Sequence, residues 1–171
     1  MRFGLKAAWL LCFAWCAWLT ALAVYLEPLL GGWTPDLALV LIASLILRSG
    51  RAASLGLVYC LVCTRLAFSL DPPAALAAGG WMLFLLVRSV AHLFDADQML
   101  ARAGAAFGAA LLLGVWLFLA AAVRGAGAGS PGGMNPLMGI LSGAAATGAC
   151  ALILGPLFAA LPGLGPLRRQ A

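Results

Sequence analysis

Residues 34–51 read TPDLALVLIASLILRSGR, an aliphatic run with an acid, Asp36, at its start and two bases, Arg48 and Arg51, just past its end. Thr34-Pro35-Asp36 has the form of a helix start: a candidate N-cap, a proline at the first helical position and an acid in the first turn. Counted from Thr34 to Leu47, the run covers about 21 Å as a helix. That falls short of the roughly 30 Å of hydrocarbon in a bilayer. It is expected to sit in locally thinned lipid or to be shielded by its neighbours.

Working outward, further apolar runs lie at about 7–26, 52–70, 74–94, 104–123 and 137–161, giving six with the run at 34–47. Arg2, Lys6, Arg48, Arg51, Arg88, Arg102, Arg168 and Arg169 collect in alternate connections and at the ends, eight of the ten basic residues. The other connections carry Glu27, Asp36 and Asp71, with Arg124 as the one outlier there. The positive-inside rule turns this alternation into a topology of six transmembrane helices with both termini in the cytoplasm. Hydrophobic residues make up 65% of the chain and charged residues 9%, with a mean hydropathy of +1.09. A soluble domain carries about 25% charged residues, so the expectation is one all-α integral membrane domain over residues 1–171. The net charge of +5 is accounted for by the loops of one face, and nucleic acid binding is not expected.

The beginning of the chain imitates a cleavable signal peptide, with Arg2 and Lys6 before an apolar run. That run extends about 20 residues and carries Trp9, Trp15 and Trp18, so it is read as the first span. The five cysteines all fall inside runs, and Cys60-x-x-Cys63 lacks a second pair or a nearby histidine, so packing is the expected role. Small residues recur at helical spacing: Gly4, Ala8, Cys12, Cys16 and Thr20; Gly56, Cys60, Cys63 and Ala67; Gly104 and Gly108; Gly139, Gly143 and Thr147. Such stripes let helix backbones approach closely in lipid. Asp71-Pro72-Pro73 reads as a tight turn, the segment from Gly125 to Gly133 as a flexible linker, and Pro156 as a kink or end of the last span.

Arg65 is read as the one charge within a span, Asp36 and Arg88 being assigned to span ends. A charge at the bilayer centre costs about 2.5–3.5 kcal/mol on insertion scales, so a partner is expected. Asp36 is the preferred one, with Asp71 as a second candidate and snorkelling to headgroups as the competing account. Arg88, His92 and Asp95 share a helical face beside apolar residues, which reads as a helix leaving the membrane along the interface. No paired carboxylates, metal-ligand cluster or Ser/His/Asp grouping emerges. The expectation is a non-enzymatic protein without a cofactor.

Pro35-Asp36-Leu37-Ala38-Leu39-Val40-Leu41-Ile42, closing in Leu47-Arg48-Ser49-Gly50-Arg51 and followed by Gly56 in the next run, resembles the second span of the rod shape-determining MreD family. The detailed likeness covers about residues 33–90. Members often carry an acid near the outer end of span three, where this chain has Thr64-Arg65 and its acid at Asp71. The resemblance implies a bacterial inner-membrane scaffold of the wall-elongation machinery. Its partners would be membrane lipids, an MreC-type protein and, indirectly, MreB filaments and the peptidoglycan polymerase and transpeptidase. Pro35, Asp36, Arg48, Arg51, Arg65, Asp71, Arg88 and His92 are the candidate partner-binding or structural residues. The family also looks like the six-helix S components of energy-coupling-factor transporters, which implies an alternative: a vitamin-binding subunit with an outward pocket. The outer half offers few polar groups beyond Asp36, Arg65 and Thr64, which favours the scaffold.

Overall fold

The computed structural model describes residues 2–69, 71–93, 98–124 and 136–168. Six helices follow the apolar runs: α1 (Arg2–Leu30), α2 (Leu37–Ile46), α3 (Arg51–Phe68), α4 (Pro73–Leu93), α5 (Met99–Val123) and α6 (Pro136–Ala160), with a short α7 (Gly165–Arg168) after them. A 3-10 turn at Gly31–Trp33 joins α1 to α2, entered through Gly31 at φ +56°, a conformation that glycine adopts without a Cβ penalty. No strand occurs among the described residues.

The short run resolves the choice left open by its length. With 10 residues, α2 rises only about 15 Å, about half the hydrocarbon thickness, and every one of its residues is buried. The five long helices follow one another around it in the order α1, α3, α4, α5, α6, and each of them touches it. It is therefore shielded by its neighbours. Among the described residues the other five helices are long and apolar enough to cross a membrane. A uniformly aliphatic face on all sides suits a helix enclosed all round.

Outside this pillar one set of large apolar side chains packs inward, among them Leu19, Leu57, Leu83 and Leu113, and another points away from the core. Leu10, Phe13, Trp18, Tyr59, Trp81, Leu119 and Ile153 are exposed, as they would be on a surface solvated by lipid tails. Beneath them, Ala8, Cys12 and Cys16 of α1 are completely buried, so this part of the small-residue stripe is a packing face. Gly56 seats Trp9: a Cβ there would lie 2.4 Å from the indole ring. Gly79 and Gly80 of α4, which sequence reading passed over, separate two neighbours, with Leu113 of α5 at 2.6 Å and Val62 of α3 at 2.7 Å from the corresponding Cβ positions. The GxxxG spacings carry less. Gly104 and Gly139 face open space, and the closest α5–α6 approaches use Gly148 against Phe107 and Gly114 against Ile140.

Several boundaries differ from the sequence reading. The first span runs on to Leu30, through Pro28, so Glu27 belongs to α1. Helix α5 begins at Met99, so Arg102 is helical and 5% exposed instead of lying in a loop. No interfacial helix follows α4, which ends at Leu93, among the described residues; Phe94, Asp95, the linker at 125–133 and Arg169 lie outside them. Pro156 sits within α6, and the helix continues to Ala160.

Helix α7 packs back against α1. Leu164 and Leu167 are fully buried with Ala8, and Gly163 lies against Leu11 in the first half of α1. The same end of the bundle carries the α2–α3 turn and the close of α4, because Arg88 reaches across to Ser49.

Candidate functional site

The opposite end of the bundle is organised by one residue. Asp36 is the N-cap of α2: its Oδ1 accepts from the Leu39 backbone N–H at 3.0 Å. The cap is thus Asp36, not Thr34, and no acid occupies the first turn. Thr34 instead closes the 3-10 turn, donating its hydroxyl to the Gly31 carbonyl at 2.7 Å, while Pro35, buried, leads into the cap. Asp36 presents its second carboxylate oxygen to the Arg65 guanidinium of α3 as an ion pair. Its own backbone N–H donates to the Thr147 hydroxyl of α6 at 2.9 Å, and that hydroxyl donates to Gly143 at 2.7 Å. One acid therefore ties α2, α3 and α6 together. Asp36 and Arg65 are 24% and 22% exposed, so the pair is only partly desolvated.

Close approach of α6 to this knot depends on its small residues. A Cβ at Gly143 would sit 3.4 Å from the Gly32 carbonyl, and Ser142 donates to that same carbonyl at 2.6 Å. Asp71, the other candidate for Arg65, lies in the α3–α4 turn and accepts from Ser69 at 2.6 Å. It stands 4.0 Å from Arg124. The basic outlier at this end is thus compensated by the acid that the sequence made a rival for Arg65.

Around the Asp36–Arg65 pair the helices leave space. A cavity of about 580 Å³ lies between α1, the 3-10 turn, α3 and α6, lined among others by Thr20, Val24, Glu27, Thr34, Phe68 and Ser69. On its other side the pair faces a second cavity of about 170 Å³ between α5 and α6. The sequence count of outer polar groups was too low. Thr20, Glu27, Thr34 and Ser69 join the pair at the larger cavity, whereas Thr64 turns back to the carbonyls of Cys60 and Leu61. Thr20 sits one turn beyond the buried cysteines of α1, so its helical spacing was the available signal. Thr147 is 111 residues from Asp36, and no local pattern links them.

The remaining candidates lie at the other end. Arg88 Nη1 donates to the Ser49 carbonyl at 3.1 Å and holds the α2–α3 turn, inside which the Ser49 and Ser54 hydroxyls are 3.1 Å apart. Arg48 is half-buried and Arg51 exposed at the start of α3. His92 is exposed one turn beyond Arg88, on the same face of α4. No group of three His, Cys, Asp or Glu residues able to hold a metal ion occurs among the described residues.

No family model, curated protein or solved structure matches this chain. The helices themselves define the class: a multi-pass helical membrane protein, with five helices suited to crossing the bilayer and a sixth, short one enclosed among them.

Proposed function

We propose that the chain is a non-enzymatic scaffold subunit of the inner membrane, part of the rod-shape and wall-elongation complex, that binds an MreC-type partner. The observation that carries this reading is the use made of Asp36. The acid of the Pro35-Asp36-Leu37 motif that resembles the MreD family caps α2 and joins α3 and α6, so the motif serves architecture. Charges spent on holding helices in place suit a protein that acts by presenting a fixed surface. The basic end bearing Arg48, Arg51 and Arg88 faces the cytoplasm, where it meets anionic headgroups, and the Asp36 end faces outward.

A second reading, an S component-like vitamin-binding subunit, is favoured by the cavity beside Arg65, whose volume suits a small ligand. Affinity purification of the tagged protein from its own membranes in mild detergent separates the two. Recovery of an MreC-type protein with wall polymerase and transpeptidase is the expected result; recovery of transport ATPases in their place overturns it. Accessibility of a single cysteine at position 51 or 71 to a membrane-impermeant thiol reagent, in a cysteine-free background, tests the orientation: labelling from outside is expected at 71 alone.

A further inference from the structure

We propose that the larger cavity is a binding site for a primary ammonium group carried by a small, partly apolar molecule. The inference rests on which hydrogen-bonding capacity the lining side chains have left. Thr20 gives its hydroxyl proton to the Cys16 carbonyl at 2.8 Å, Thr34 gives its own to Gly31 at 2.7 Å, and Ser69 donates to Asp71 at 2.6 Å. The threonine hydroxyls are then left with acceptor lone pairs, and Ser69, which already accepts from the Asp71 N–H at 3.0 Å, with one. Glu27 adds a carboxylate, which forms no ion pair among the described residues. Arg65 is the cationic donor in the lining, and Asp36 neutralises it. The side chains thus offer acceptors and one uncompensated negative charge.

An ammonium group, with three N–H donors and one positive charge, is the complement of that set. A metal ion would require a ligand cluster that the described residues lack. Val24, Phe68 and Ile140 give the same cavity an apolar wall for the rest of the ligand. Its volume, about 580 Å³, falls within the roughly 300–1,000 Å³ typical of small-molecule sites. The ammonium has two sources, a free amine or the ethanolamine headgroup of a phospholipid. The site stands on this geometry under either reading of the protein's function.

The test compares 2-phenylethylamine with its N,N,N-trimethyl derivative, which keeps the charge and removes the donors. Equilibrium dialysis uses the full chain in phosphatidylcholine nanodiscs at pH 7. The primary amine is expected to bind about tenfold more tightly, the scale of a charge-assisted hydrogen bond. Glu27→Gln, at an exposed position, removes the negative charge and is expected to weaken binding of the primary amine about tenfold while leaving the melting temperature unchanged. Adding phosphatidylethanolamine to the nanodiscs sorts the source: displacement of the amine assigns the site to the headgroup, and unchanged binding assigns it to a free amine. Equal binding of the two probes, or primary-amine binding unchanged by Glu27→Gln, overturns the proposal.

Discussion

Arg88 and Arg65, at opposite ends of the bundle, are held in different ways. At the basic end Arg88 bonds a backbone carbonyl of the α2–α3 turn and Arg51 lies exposed. At the other end Arg65 lies within a helix and is met by a carboxylate, and Arg124 stands near Asp71. An arginine at a membrane surface finds water and headgroups, so a single carbonyl suffices. Arg65, partly buried beside α2, is met by a carboxylate that lowers the cost of its desolvation. The difference teaches that Arg88 secures a turn through one hydrogen bond, whereas the carboxylate that meets Arg65 also ties three helices together.

The comparison can be broken first at Asp36. Asp36→Ala removes an N-cap, worth about 1 kcal/mol, and leaves Arg65 without its carboxylate, a loss of about 3 kcal/mol in buried pairs and less where solvent reaches. A total of about 3 kcal/mol is expected in unfolding of the purified protein by denaturing detergent. The pair Asp36→Ala with Arg65→Ala should cost less than the sum of the two single changes. Strict additivity would sink the idea that the countercharge matters.

Thr147→Val keeps the shape of the side chain and removes the acceptor for the Asp36 N–H, so about 1–2 kcal/mol should be lost in the same assay. A neutral result would mean that the tie between α2 and α6 is made by packing alone. Smallest of all, Arg88→Met retains an apolar stem and removes one hydrogen bond beside solvent, with about 0.5–1 kcal/mol expected. If hydrogen exchange at Ser49 and Gly50 stayed as slow as in the parent, Arg88 would have no role in holding that turn.

How far the site was legible follows from the kind of signal each residue leaves. Arg65 was legible because a charge in an apolar run demands a partner, and Asp36 was the acid placed at the right depth. The cap at Asp36 was misplaced by two residues: the 3-10 turn that claims the Thr34 hydroxyl is set by how α1 ends, which the local pattern around Thr34 does not contain. Thr147 was legible only as a small residue, because its role comes from α6 passing beside α2. The glycine spacings misled in part: GxxxG marks a possible close approach, but which glycines touch depends on how each helix is rotated about its axis.

By itself the sequence determined that the chain is a set of apolar helices, that basic residues gather at one end, and that Arg65 needs an acid. These follow from local composition and the cost of moving charge into hydrocarbon. Only the tertiary structure decided that the run at 34–47 supplies an enclosed pillar, that Asp36 joins three helices, and that a cavity remains beside Arg65. Those properties depend on which helices are neighbours and at what depth they meet, and packing between distant segments sets both.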